Sequence, residues 1–174
     1  MKTLEQQKIK TLNKIRLIEV EYAQILQYTS PEGQESLFYN LNEEELKQLY
    51  KERKNRKLAA LIVELYALVE QLLYKLYPLY HDGEEYEKEE GLRRNTIHDL
   101  EIKLSPFLTF KTNTIMLSNI RNYIVHVRFS VKKAMKDEDA MSSVPVEIKK
   151  SKQLFEHLIQ TTKQYIMGVV EKSS

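Results

Sequence analysis

The chain of 174 residues has 42% hydrophobic and 30% charged side chains, only four glycines and four prolines, and a net charge of +2. This length suits one domain with a real core, and the balance of apolar and charged residues excludes a disordered chain. The lack of cysteine excludes disulfides, thiolate metal sites and a cysteine nucleophile, and the small net charge does not by itself indicate a nucleic-acid partner.

The N-terminal segment, MKTLEQQKIKTLNK, alternates charged and apolar residues and has no continuous apolar stretch. It therefore does not resemble a signal peptide. No run in the sequence approaches the roughly eighteen apolar residues that a membrane span needs. We expect a protein of the cytoplasm that makes no membrane contact.

Apolar residues at steps of three and four predict a first helix over about residues 3–28, and the segment TSPEG at residues 29–33 breaks it. Asn42 and the three glutamates after it predict the start of a second helix, because these side chains satisfy free N–H groups and the helix dipole. We expect this helix to end at Tyr77, before Pro78. Its predicted core stripe is Leu58, Leu61, Ile62, Leu65, Leu68, Val69, Leu72 and Leu76.

The second half of the chain is predicted to contain three more helices. A polar loop over residues 81–92 precedes a short helix around residues 94–104. A fourth, long helix is expected from Thr112 or Asn113 to about Asp137.

A last helix follows the break SSVP at residues 142–145. Its apolar side carries Ile148, Phe155, Leu158, Ile159, Ile166 and Val169. We find no convincing strand, repeat or interdomain linker. The predicted fold is therefore a single all-α domain over residues 1–174, an up-and-down bundle of four long helices plus one short helix.

The predicted fourth helix has apolar side chains on two sides. On a helical wheel of about 100° per residue, the core side comprises Met116, Ile120, Tyr123, Ile124, Val127, Val131 and Ala134. The opposite side comprises Ser118, Arg121, Asn122, Val125, His126 and Phe129. A solvated face would be expected to carry lysine and glutamate, so this side is predicted to meet a partner. A second copy is the most economical one, which predicts a homodimer through Val125 and Phe129.

Several common chemistries lack their residues in this sequence. The four histidines are scattered without the spacing of a zinc site, and the glycines are too isolated for a phosphate loop. A GxSxG nucleophile motif is absent. We therefore expect neither a bound metal nor a cofactor.

The remaining candidates lie in the hexapeptide RNYIVH at residues 121–126. An arginine, a polar residue, three further residues and a histidine, within a late helix of a small α bundle, resemble the HEPN domains (higher eukaryote and prokaryote nucleotide-binding). That family has an arginine and a histidine separated by four to six residues. The resemblance covers residues 42–172 by helix layout and Arg121, Asn122 and His126 by specific residue. Residues 1–28 lie outside it and are interpreted as an addition.

The resemblance implies a metal-independent endoribonuclease whose two copies share a composite cleft. It also suggests a toxin or phage-defence effector, with an antitoxin protein as a further partner. RNA supplies its own nucleophile, the 2′-OH. His126 can move a proton near neutral pH, and Arg121 can clamp the phosphate and stabilise its growing charge. Asn122, one turn before His126, can orient the imidazole ring or the substrate.

Alternative interpretations stay open at this point. The same residues fit a catalytically inactive HEPN-like module that binds a nucleotide or a protein, and the helices fit a structural adaptor. Arg93 and His98 have the same spacing as the preferred pair but follow directly on a polar loop. Glu70 lies off the core stripe of the second helix and can buttress Arg121 or His126 if the two helices are neighbours. A solvated carboxylate is the simpler interpretation.

Three further groups of residues are interpreted as ordinary surface or packing. The basic block, taken as a solvated helix face, is Lys47, Lys51, Arg53, Lys54, Arg56 and Lys57. The acidic block, taken as a solvated loop, is Glu84, Glu85, Glu87, Glu89 and Glu90. Four tyrosines can stack on nucleic-acid bases, namely Tyr66, Tyr74, Tyr77 and Tyr80. Packing within the protein is the better interpretation of these side chains.

Overall fold

The computed structural model describes residues 3–28, 42–88 and 95–173, and most of them are helical. The all-α expectation is thus confirmed at the level of a predominantly helical protein. In chain order the elements are α1 (Leu4–Tyr28), α2 (Glu43–Tyr80), α3 (Thr96–Leu104), β1 (Leu108–Phe110), α4 (Ile115–His126), α5 (Val131–Ala134), α6 (Glu138–Met141), α7 (Ser151–Gly168) and β2 (Val169–Glu171). Within the described ranges, no helix is both long and apolar enough to cross a membrane. The predicted break at residues 29–33 lies outside the described residues.

Helix α2 is the central element and contacts α1, α3, α4, α5 and α7. It starts where the sequence predicts, with a capping box in which the side chains of Asn42 and Glu45 each accept the other's backbone N–H at 2.9 Å. Every residue of its predicted core stripe is buried. On the other side of this core, α7 contributes Phe155, whose ring lies 4.6 Å from that of Tyr22 on α1.

The predicted end of α2 at Tyr77 is wrong, because the helix runs through Pro78 and ends at Tyr80. A proline in the last turn removes only one backbone hydrogen bond. The residues after it gain packing in return. Leu79 and Tyr80 lie against the core, and the Tyr80 hydroxyl donates to Glu171 at 2.8 Å.

The predicted long fourth helix is also wrong, because α4 ends at His126 and a turn separates it from the short helix α5. Hydrogen bonds from α2, a helix distant in sequence, stabilise the turn between α4 and α5. Asn55 of α2 accepts from the backbone N–H of Lys132 at 2.9 Å and donates to the Ser130 hydroxyl at 3.0 Å. The Ser130 side chain in turn caps α5. These contacts stabilise a turn that helical periodicity alone does not reveal.

The break changes which side chains enter the core. The predicted core side is confirmed for the buried Ile120, Ile124, Val131 and Ala134 and for the partly buried Met116 and Tyr123. Val127, predicted to be buried, is 61% exposed because it lies in the turn after α4. Ser118, predicted on the opposite side, is buried beside Leu117.

Two short antiparallel strands contradict the expectation that the chain has none. Leu108 pairs with Glu171 and Phe110 with Val169, so β2 continues directly from the end of α7. Val169 was predicted to lie in the last helix and instead begins this strand. Strands of three residues are too short for alternation to be recognised in a sequence.

Candidate functional site

An open cavity of about 700 Å³ lies between α2, α4, α6 and the start of α3. All three predicted site residues line it, namely Arg121, Asn122 and His126. Arg121 is half-buried, whereas Asn122 and His126 are exposed. His126 is the last residue of α4, so the break in the predicted long helix leaves its ring at the cavity edge. The structure therefore brings the sequence-predicted residues together at one surface.

Arg121 is held in the cavity wall by an aromatic ring. Its guanidinium carbon lies 4.6 Å from the centre of the Tyr66 ring, a cation–π contact, and its Nη1 donates to Asn122 Oδ1 at 3.1 Å. Its Nε is buried and has no hydrogen-bond partner among the described residues. Leaving a buried donor unsatisfied costs about 1–3 kcal/mol, more for a charged group.

Tyr66 connects Arg121 to the start of α3. Its ring is buried, which confirms that it packs and does not offer a free face to a base. Its hydroxyl donates to Asn95 Oδ1, which also accepts from the backbone N–H of Ile97 at 3.0 Å and so caps α3. One side-chain oxygen thus fixes both the Tyr66 ring and the neighbouring helix.

The pKa of Tyr66 is raised to about 12, mainly because burial disfavours the phenolate and further because Glu70 is nearby, while Arg121 acts in the opposite direction. An unfolded tyrosine ionises near pH 10. The unfolded chain therefore loses this proton first, so the stabilisation is complete below about pH 10 and is lost as the pH rises towards about 12.

We therefore expect the free energy of unfolding of the wild type to fall more between about pH 9 and pH 11 than that of Tyr66→Phe. Urea titrations at the two pH values measure this difference. The comparison with the variant is needed because the pKa is raised at four other tyrosines, Tyr22, Tyr74, Tyr80 and Tyr165. Equal falls in both proteins would contradict a raised pKa of Tyr66.

Glu70 lies on α2, which neighbours α4, and it lines the same cavity. The two helices are therefore neighbours, as a buttressing role for Glu70 requires. Within the part of the chain that the structure describes, Glu70 forms no ion pair with Arg121 or His126. Its visible effect is on Tyr66, whose pKa its charge raises.

The sequence did not single out several polar residues of the cavity wall. They come from the loop before α3, from α4 and from the segment around α6, and they are Lys88, Asn95, Asn119, Asp137 and Asp139. Asn95 carried a usable signal, since an asparagine directly before an apolar periodic segment is a common N-cap. Asp137 also caps a helix, with its Oδ1 accepting from Ala140 at 2.9 Å. Lys88, Asn119 and Asp139 belong to no local sequence pattern that indicates a site.

The rival pair is only partly visible. Arg93 lies outside the described residues. His98 is exposed on α3, with its Nδ1 3.9 Å from Glu101 Oε2, and it does not line the cavity. The structure therefore places one member of this pair away from the site that contains His126.

The face predicted to meet a second copy is only partly available in the single chain. Val125 and Phe129 are 43% and 47% exposed, which leaves their apolar surface free for a partner. Ser118 and Arg121, assigned to the same face, are buried and half-buried within the chain's own fold. The contact surface is therefore narrower than the helical wheel predicts.

Within the described ranges, no three histidine, aspartate or glutamate side chains lie together as ligands for a metal ion. In comparisons with known proteins, no family model, no curated protein and no solved structure matches this chain.

Proposed function

We propose that this protein is a metal-independent endoribonuclease of the HEPN type, built on an HEPN-like arrangement of residues 42–172. One observation supports this proposal: Arg121 and His126 line the same open cavity. A phosphate in this cavity would pair with the guanidinium of Arg121 and would lie beside the imidazole of His126, a side chain suited to proton transfer.

The reaction needs only the substrate and these side chains. The RNA 2′-oxygen attacks the adjacent phosphorus, and its proton passes to a neutral imidazole of His126. The bond from phosphorus to the 5′-oxygen breaks, and that oxygen leaves with its electron pair and takes up a proton. The products are a 2′,3′-cyclic phosphate and a 5′-hydroxyl. Arg121 offsets the negative charge that grows on the non-bridging oxygens, and Asn122 positions Arg121 through its hydrogen bond.

The cavity of one chain contains one histidine, whereas the reaction uses a base and an acid. A dimer supplies the second group if His126 of the partner subunit reaches the same phosphate. The exposed Val125 and Phe129 lie on and just after α4, next to this cavity, and provide an apolar surface for such a dimer. In a toxin or a phage-defence effector, an antitoxin protein would bind to restrain this activity.

The direct test is to incubate the purified protein with total RNA in EDTA. We expect cleavage to persist and the products to end in a 2′,3′-cyclic phosphate or the 3′-phosphate derived from it. A parallel preparation of the Arg121→Ala, His126→Ala double variant controls for contaminating ribonuclease. Loss of cleavage in EDTA, or equal cleavage by the double variant, would contradict the proposal.

A binding module is the second candidate, and the same arginine favours it. The guanidinium of Arg121 in the cavity wall can pair with the phosphate of a nucleotide whether or not a reaction follows. If the protein cuts no RNA, nucleotide binding without catalysis becomes the favoured function.

A further inference from the structure

A second, shallower groove of about 470 Å³ lies between the first half of α2 and the turn after α4. We call it the basic groove. It is lined by Leu49, Glu52, Arg53, Arg56, Lys57, Ala60 and Phe129. Its three cations belong to the basic block of the sequence, and all three are exposed.

The positive charge of this part of α2 is only partly offset nearby: Glu52 lines the groove, and Glu21 and Glu64 line an adjacent depression with Arg53 and Lys57. Residues 51–57 contain five cations and a single carboxylate, Glu52. Arg53 has Arg56 and Lys57 at three and four positions along the helix, and like charges at this spacing destabilise a helix by a few tenths of a kcal/mol. No ion pair is formed by any of these three cations within the described residues. A merely solvated face is more often mixed in sign.

A second cationic segment lies against the first. It follows α4 directly and contains Arg128, Lys132, Lys133 and Lys136, all exposed, with no acidic residue among residues 127–136. The two hydrogen bonds of Asn55, to Lys132 N and to the Ser130 hydroxyl, join this segment to α2 in the middle of its cationic stretch. Two positive segments are thus held side by side by specific contacts, and a polyanion is the partner that offsets their repulsion.

The basic groove also lies next to the cavity that contains His126. Val127 lines the cavity and Phe129 lines the groove, so the two surfaces meet across this short turn. Phe129 lies three positions after His126, which limits their Cα–Cα distance to about 11 Å.

We propose that the basic groove, together with residues 128–133, binds the sugar–phosphate backbone of an RNA strand and leads that strand into the cavity. This inference rests on the proposed ribonuclease function and names its substrate class: an oligonucleotide that spans both surfaces, bound without regard to sequence. Contacts to phosphates position a strand but carry no sequence information.

The test measures binding separately from cleavage. A fluorescent RNA of about twelve nucleotides with 2′-O-methyl sugars cannot be cut by 2′-OH attack, so its anisotropy reports affinity alone. We expect the triple variant Arg53→Gln, Arg56→Gln, Lys57→Gln to weaken binding roughly tenfold or more. The slope of log Kd against log salt should fall by about 2, because each phosphate contact on a single strand contributes about 0.7.

A matched control removes the same charge elsewhere. Lys10→Gln, Lys14→Gln, Arg16→Gln changes three cations of α1, which packs on α2 and α7. We expect this control to bind as the wild type does. Should the groove triple variant fold poorly by circular dichroism, Lys132→Gln, Lys133→Gln tests the second segment, with an expected fall in slope of about 1.4.

Binding and slope that stay at wild-type values in the folded groove variants would overturn this inference, as would a wild type that does not bind the oligonucleotide. Failure of the ribonuclease proposal gives a different pattern. In that case the wild type binds the oligonucleotide through the groove but does not cut the all-ribose RNA.

Discussion

His126→Ala and Arg121→Ala are each expected to reduce the rate of RNA cleavage by at least about a hundredfold, the usual scale for removing a positioned acid–base group or a charge-stabilising donor. The His126→Ala variant lacks the imidazole that lines the cavity, and the Arg121→Ala variant lacks the guanidinium in the cavity wall. Single-turnover cleavage of a defined RNA measures both effects on the chemical step.

These losses should not reflect unfolding. His126 is exposed and Arg121 belongs to the cavity wall, so neither substitution removes a buried apolar side chain. The melting temperatures should therefore stay close to that of the wild type. His98→Ala is the matched control, because His98 is exposed on α3 and outside the cavity. If His98→Ala abolishes cleavage while His126→Ala retains it, the site has been assigned to the wrong histidine.

Val125→Asp and Phe129→Asp are each expected to convert a wild-type dimer into monomers. Each substitution places a charge in a surface that the dimer would desolvate, and an unpaired buried charge is strongly destabilising. Sedimentation velocity measures the change. Cleavage should fall with the dimer, because each composite site would lose the partner's contribution.

Two comparisons make this result specific. Val125 does not line the basic groove, so Val125→Asp separates loss of the dimer from damage to the groove at Phe129. Val146→Asp adds the same charge at an apolar residue that is 81% exposed and distant in sequence from α4, and it should leave the dimer intact. A monomeric wild type, or variants at both positions that remain dimeric, would contradict the proposed interface.

The long helices could be predicted from the sequence because their evidence is local and repeated. The stripe from Leu58 to Leu76 recurs over several turns, and the Asn42 cap is a short-range pattern. The break after His126 could not be predicted in this way. It depends on Asn55, more than seventy positions away, which bonds to the turn where α2 and α5 pack together. Tertiary contacts here override helical periodicity.

In the candidate site, too, local sequence patterns could be recognised and tertiary contacts could not. Arg121, Asn122 and His126 lie within six residues, so their shared surface could be predicted from one helix. The contact between Arg121 and Tyr66 could not, because it joins two helices. The sequence also does not show that the cationic segment after α4 lies against the basic block, because that position depends on the hydrogen bonds of Asn55.

The central claim, cleavage by 2′-OH attack without a metal, is tested most directly with two RNA oligonucleotides that differ at one sugar. One is all-ribose, and the other has a single 2′-deoxy sugar at the mapped cut site; both are incubated with the wild type in EDTA. We predict that the all-ribose strand is cut to a 2′,3′-cyclic phosphate and a 5′-hydroxyl, and that the 2′-deoxy strand stays intact at that position. Equal cleavage of both strands, or a product with a 5′-phosphate, would contradict the account.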